Sequence, residues 1–185
     1  MSLFDKDLDE NEEPLRKRLR EEDFIASCLS FGAIVVECDD PKTFISRLEE
    51  IVSPDAQIIG TEVAAEMLKK QQGRPIVKWD VRTFKKYDAV GSMHVLSKRS
   101  DKPIIIIENI TDIPEKTSGQ FDEPTEVENI LLHSWENDIL RFDSDRFGSF
   151  QLNRLDYTVI FPVLKGSLKH LHHRLEDGIA YIVEE

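Results

Sequence analysis

Four consecutive isoleucines at residues 104–107 constrain the fold of this chain more than any other feature. Side chains of a β-strand point alternately to the two faces of its sheet, so an uninterrupted apolar run needs cover on both faces. Sheets covered on both faces are typically parallel, because the helices that connect parallel strands pack against them. The run begins after Pro103 and ends at Glu108 and Asn109. The sequence therefore predicts a buried strand over residues 103–107 in a parallel sheet.

Other segments supply the remaining strands and the helices of such a sheet. Residues 33–38 (AIVVEC) and 158–163 (TVIFPV) are further apolar runs, and shorter ones lie at residues 76–79 and 179–183. Apolar residues at helical spacing predict helices between the strands, over residues 42–51, 62–70, 81–96 and 124–140. Strands that alternate with helices predict an α/β fold, a three-layer sandwich with a mainly parallel five-stranded sheet.

Length and the distribution of acids predict the domain organisation. Residues 1–13 carry six acids and one lysine without long apolar periodicity, which is typical of a flexible tail. We therefore predict an acidic N-terminal tail and short helix over residues 1–23, and a single α/β domain over residues 24–185. This second segment is long enough to bury a core of its own.

Composition excludes several classes of protein. No apolar run approaches the ~20 residues that span a bilayer, and the acidic start is unlike a secretory signal. Two cysteines in 185 residues are too few for a disulfide scaffold, which predicts a reducing, cytoplasmic location. A net charge of -12 disfavours indiscriminate binding to nucleic acid, and we expect no membrane partner.

Charge is unevenly placed along the chain. Residues 69–102 contain ten bases and three acids, whereas residues 111–150 contain ten acids and three bases. Three interpretations stay open: two solvated faces, a dipolar module whose basic side meets the acidic side of a neighbouring subunit, or a surface for a phosphate backbone. In the third interpretation, aromatic residues 79, 84 and 87 would stack on single-stranded nucleic acid beside a basic patch of Lys78, Arg82, Lys85 and Lys86.

The segment after the first predicted strand stands where a P-loop NTPase binds phosphate. The P-loop pattern is G-x-x-x-x-G-K-[ST], and its glycines let backbone N–H groups wrap the phosphates. Residues 36–43 read VECDDPKT, so Lys42 and Thr43 are present but Val36 and Pro41 replace both glycines. Pro41 removes an N–H donor. The three acids of this segment would repel a nucleotide.

The acidic end of the isoleucine run stands where P-loop NTPases hold magnesium. Glu108 could bind a metal through water, whereas Asn109 has no carboxylate and cannot act as a general base. Both residues could equally cap the strand and its turn. The candidate nucleotide-binding residues are therefore Lys42, Thr43, Glu108 and Asn109, and no separate metal site is predicted.

Four segments follow one another in the order of a known family. They are the strand and acidic turn at residues 102–113, the leucine-rich residues 131–136, a hairpin-like stretch at 147–153 and the strand at 156–161. Together they resemble the core of an AAA+ ATPase. The resemblance implies a P-loop NTPase-like fold, with ATP and Mg²⁺ as the ligands of its nucleotide site and Arg174 near the position of a trans-acting arginine.

The chain departs from the family where the chemistry would lie. The strand that should lead to the polar residue called sensor 1 continues as Pro162, Val163 and Leu164. The chain ends at Glu185, which leaves no room for the family's helical lid domain. We therefore expect an AAA+-like fold without competent nucleotide chemistry.

Three hypotheses for function follow. The first is a non-catalytic AAA+-like binding or assembly module, a subunit, scaffold or regulator, that needs no cofactor and binds a protein partner or a second copy of itself. The second is an ATPase-like protein that uses ATP and Mg²⁺ through an aberrant phosphate loop. The third is a nucleic-acid-binding protein that uses the basic residues 69–102. An enzyme is expected only under the second hypothesis.

Overall fold

The computed structural model describes residues 9–80, 82, 86–110, 139–153, 156–167 and 180–184. These residues form four helices and seven strands. In chain order they are α1 (Asp9–Leu29), β1 (Ala33–Cys38), α2 (Pro41–Val52), α3 (Glu62–Gln71), β2 (Ile76–Asp80), α4 (Lys86–Ser97), β3 (Ile104–Glu108), β4 (Ile139–Ser144), β5 (Gly148–Asn153), β6 (Thr158–Leu164) and β7 (Ala180–Val183).

Five of the strands form one sheet in the order β2-β3-β6-β1-β7. Every neighbouring pair in this sheet is parallel, so all five strands end at the same edge, which we call the carboxyl edge. The α/β class and the five-stranded parallel sheet predicted from the sequence are confirmed. Each predicted strand agrees with an observed one to within one residue at either end.

The isoleucine run lies at the centre of the molecule. Ile104 and Ile106 pack with α1, α2 and α3 on one face of the sheet, whereas Ile105 and Ile107 pack with α4 and the β4–β5 hairpin on the other. All four side chains are at most 2% exposed. The cover on both faces that the sequence predicts is therefore present, with helices on one face and a helix plus a hairpin on the other.

Helix α1 joins the sheet domain directly. It runs without interruption from Asp9 to Leu29 and so crosses the boundary predicted between residues 23 and 24. Glu22 is 2% exposed. Its carboxylate accepts hydrogen bonds from the Ile59 N–H at 2.8 Å and from Arg18 Nε at 3.3 Å. The helix is thus fastened to the connection between α2 and α3 before its last turns enter the core.

Arg74 fastens the opposite edge of the sheet, where the strands begin. Its guanidinium donates to the carbonyl oxygens of Lys102 and Pro103, to Thr158 Oγ1 and to Gln71 Oε1. The pKa of Arg74 is lowered because partial burial penalises its charge. Four hydrogen bonds from one side chain tie the starts of β3 and β6 to the end of α3.

Two predicted helices differ from the structure. The helix predicted over residues 81–96 begins at Lys86, while residues 81 and 83–85 lie outside the described chain. The helix predicted over residues 124–140 is wrong at its end, because Ile139 and Leu140 belong to β4. Leu140 pairs with Leu152 across the antiparallel hairpin, and both side chains are buried. Leu140 and Phe142 both face the core, and a spacing of two residues is typical of a strand. At residues 139 and 140 this pattern is the correct one, rather than the helical spacing of the preceding residues.

Candidate functional site

The parallel sheet brings the predicted nucleotide-site residues to one edge but does not join them. Lys42 and Thr43 lie in the first turn of α2, directly after β1, and Glu108 and Asn109 lie at the end of β3. Strand β6 separates β1 from β3. Two strand spacings amount to about 10 Å, so the two pairs of residues lie on the same edge without direct contact.

The connection between β1 and α2 is closed by the side chain of Asp40. Only Asp39 and Asp40 separate the end of β1 from Pro41, the first residue of the helix. The Asp40 carboxylate accepts the backbone N–H of Lys42 at 3.1 Å and the hydroxyl of Thr43 at 2.7 Å. These hydrogen bonds lower the pKa of Asp40. The helix N-terminus, where an anion would bind, therefore already holds a carboxylate of the chain itself.

Asp39, the residue before Asp40, also contacts charged neighbours. The Asp39 backbone N–H donates to Glu184 Oε2 at 3.1 Å, and Lys165 Nζ lies 2.9 Å from Asp39 Oδ1. The hydrogen bond from Lys165 to Asp39 raises the pKa of Lys165. Burial raises the pKa of the Cys38 thiol to about 12, with smaller contributions from Glu184, Asp40 and Asp39. Backbone donors and one lysine are thus already engaged by carboxylates at this end of β1.

A second cluster lies at the end of β2, and sequence reasoning missed its central residue. Asp80 stands opposite Glu108 in the β2–β3 register. Its carboxylate accepts the Arg82 backbone N–H at 3.0 Å and a two-pronged contact from the Arg82 guanidinium, with Nη2–Oδ2 at 2.7 Å. The Asn109 amide adds a hydrogen bond, and Asn109 has a left-handed φ of 61°. Asp80 directly follows the strand predicted over residues 76–79. An acid at the end of a parallel strand was the sequence feature that could have identified it as a candidate site residue.

The Asp80–Arg82 pair predicts a measurable titration. Hydrogen bonding to Arg82 holds the pKa of Asp80 well below its ordinary value. A carboxyl shifted in this direction stabilises the fold above its unfolded pKa of about 4, and that contribution is lost as the pH falls through the folded pKa. We expect Arg82→Gln to raise the pKa of Asp80 toward the ordinary value in an NMR titration of carboxyl carbons.

Arg99→Gln is the matched control for this titration. Arg99 holds the pKa of Asp101 low through an equivalent side-chain hydrogen bond. The control should raise the pKa of Asp101 and leave that of Asp80 unchanged. An Asp80 that titrates with an ordinary pKa in the unmodified protein would contradict the assigned pairing.

Two residues of the predicted basic patch, Lys78 and Arg82, have described side chains, and each pairs with an acid. Lys78 Nζ lies 2.5 Å from Glu49 Oε1 of α2, and Arg82 is engaged by Asp80. Trp79 is buried in the core on the other face of β2 and is not available to stack on a base. Lys85 lies outside the described residues, as does the side chain of Lys86, the first residue of α4.

Three further features are the predicted trans-acting arginine, possible metal-binding clusters and possible membrane-spanning helices. Arg174 lies outside it. Within the described residues, no group of three or more His, Cys, Asp or Glu side chains is placed to hold a metal ion. None of the described helices combines the length and apolar character that a membrane crossing requires.

Comparison with known proteins adds no family assignment: no family model and no curated protein matches the sequence.

Proposed function

We propose that this chain is a non-catalytic binding or assembly module, built on an AAA+-like α/β core that has lost a competent ATP site. The observation that carries the proposal is the Asp40 carboxylate at the N-terminus of α2, bound to the Lys42 N–H and the Thr43 hydroxyl. These are the groups that a phosphate would need in this position.

The charges around this cap support the proposal. A nucleotide phosphate here would meet Asp39, Asp40 and Glu184, and it would have to displace internal hydrogen bonds to reach the backbone donors. Lys165 is paired with Asp39 and so does not offer an uncompensated positive charge. The two-residue connection also leaves no stretch of backbone long enough to wrap a phosphate group.

In the second half of the site, an amide replaces the second acid of the family pattern. Asn109 stands after Glu108 and carries a neutral amide, which cannot take a proton from an attacking water. Its amide is engaged with Asp80. The replacement of that acid by an amide argues against nucleotide hydrolysis at this pair, and a sheet with both faces covered is a suitable platform for a protein partner.

The test is a thermal melt with and without millimolar ATP and Mg²⁺. A ligand at 100 times its Kd adds about 2.7 kcal/mol to stability, which raises the Tm of a domain of this size by about 5–10 °C. We expect no such rise. Lys42→Ala is the control, because Lys42 is the only lysine in the P-loop-like segment. A rise that disappears in Lys42→Ala would overturn the proposal in favour of an ATPase-like protein.

A further inference from the structure

Basic residues gather at the edge of the sheet where the strands begin, which we call the amino edge. Helix α3 is joined to β2, and α4 to β3, by short connections, so both helices end at this edge. Lys69 lies in the last turn of α3, Lys98 follows the last residue of α4, and Lys102 lies just before β3. All three side chains are exposed. The topology thus brings together bases from two different connections.

These three lysines carry charges that the described chain leaves unbalanced. Among the described residues, no ion pair joins Lys69, Lys98 or Lys102 to an acid. Asp156, which lies just before β6, is an exposed acid at the same edge. The bases outnumber it, so the amino edge presents a positive surface on a protein whose net charge is -12.

Arg74 adds a further positive charge behind this surface. Its guanidinium donates to two backbone carbonyls, a hydroxyl and a side-chain amide oxygen, all of which are neutral. Among the described residues, no carboxylate accepts a hydrogen bond from it. A partly buried cation that has only neutral partners attracts an anion to its side of the molecule. Arg74 therefore strengthens the attraction of the amino edge for anions without itself having to contact them.

The backbone of Lys102 indicates that the lysine side chain has a role there. Lys102 has a left-handed φ of 50°. Glycine adopts this conformation freely, whereas a residue with a Cβ does so at a cost. Strained residues of this kind cluster at binding and catalytic sites. The helix dipole accounts for bases at the ends of α3 and α4, but it does not account for a lysine outside both helices where glycine would be unstrained.

An exposed aromatic side chain lies in the same row of strand starts. Phe31 is 45% exposed and lies two residues before β1. Backbone hydrogen bonds link the start of β2 to that of β3, the start of β3 to that of β6, and the start of β6 to that of β1. Two strand spacings, about 10 Å, separate β1 from β3. About three stacked nucleotides of a single strand cover this distance.

We propose that the amino edge binds single-stranded nucleic acid, with phosphates against Lys69, Lys98 and Lys102 and an unpaired base stacked on Phe31. Basic side chains beside an aromatic face are the combination that binds a single strand without sequence preference. An acidic polypeptide would satisfy the lysines but gives no reason for an exposed ring beside them. The inference goes beyond the proposed function and does not depend on the state of the ATP site.

Fluorescence anisotropy of a labelled oligothymidylate tests the phosphate contacts. We expect a micromolar Kd at about 50 mM salt that rises steeply with salt concentration. In the Lys98→Ala/Lys102→Gly variant the Kd should rise roughly tenfold. The slope of log Kd against log salt should fall by about 1.4, because each phosphate contact on a single strand contributes about 0.7. Glycine relieves the left-handed backbone at position 102, so the Tm should not fall.

Lys17→Ala/Arg20→Ala is the matched control for this variant. Both bases are exposed on α1, no ion pair joins either to another described residue, and the change in net charge is the same. This control should bind the oligonucleotide like the unmodified protein. Equal weakening in the two double variants would show a general charge effect and overturn the proposal. Absence of binding by the unmodified protein would also overturn it.

Phe31→Leu tests the stacked base separately from the charges. Leucine is apolar but has no aromatic face, so the Kd should rise roughly tenfold while the salt slope stays the same. Val63→Ala is the control, since Val63 is 70% exposed but lies near the start of α3, away from the amino edge. An unchanged Kd in Phe31→Leu would overturn the proposal. Displacement of the oligonucleotide by polyglutamate at equal charge concentration would assign the edge to an acidic polypeptide and overturn it as well.

Discussion

Truncation of Ile105 and of Ile106 to alanine, one at a time, is expected to destabilise the protein by about 2–5 kcal/mol in each case. Both side chains are fully buried, but they lie in different clusters on opposite faces of the sheet. Each substitution removes three carbons from a packed environment and leaves a cavity. The effect should be read from the midpoint of urea unfolding with an unchanged slope.

The comparison between neighbouring residues makes this result specific. In a sheet with one solvated face, only one of two adjacent residues would be sensitive, since successive side chains point to opposite faces. Val95→Ala is the control, because Val95 is an exposed β-branched residue on α4. It should change stability by about 0.5 kcal/mol or less. A loss at Ile106 without a loss at Ile105 would contradict the packing of α4 and the hairpin against the sheet.

The sequence was sufficient to predict this part of the fold because the signals are local. The isoleucine run indicates burial on both faces, and the polar residues after each apolar run indicate where the strand ends. The hairpin was harder, since Leu140 and Phe142 begin a period of two only after a long stretch at helical spacing. Its geometry depends on pairing with Leu152 and Phe150, which a local pattern does not contain.

The contacts at the candidate site could not be predicted from the sequence. Parallel strands place residues 42, 43, 108 and 109 at the carboxyl edge of the sheet. What the edge can bind depends on contacts between distant parts of the chain. Asp39 meets Glu184, which is 145 positions away, and Asp80 receives a hydrogen bond from Asn109 of a neighbouring strand connection. Spacing within a motif carries no information about such partners.

Helix α1 also makes a contact with a distant part of the chain that its sequence does not reveal. The acidic composition of residues 1–13 suggested a segment separate from the domain. Glu22 looks from the sequence like one more solvated acid, yet it is buried against the α2–α3 connection. A buried carboxylate needs hydrogen-bond donors and a positive charge, and here they come from Ile59 and Arg18.

Replacement of Glu22 by alanine is therefore expected to destabilise the protein by about 1.5–3 kcal/mol, the range for hydrogen bonds to a charged group. The variant leaves the Ile59 N–H without its acceptor and Arg18 without its carboxylate. Glu22→Gln should have a smaller effect, because an amide oxygen can still accept from the Ile59 N–H. Both values are measured by urea unfolding monitored through circular dichroism.

Glu66→Ala is the control for Glu22→Ala, because it removes an exposed ion pair instead of a buried one. Glu66 pairs with Lys70 at 3.8 Å, and its side chain is 73% exposed, so the loss of this pair should change stability by about 0.5 kcal/mol or less. A difference between Glu22→Ala and Glu66→Ala shows that α1 is fastened to the domain by a desolvated carboxylate. Equal effects of the two variants would show that the α1 contact carries no stability. In that case the predicted division of the chain between residues 23 and 24 would stand.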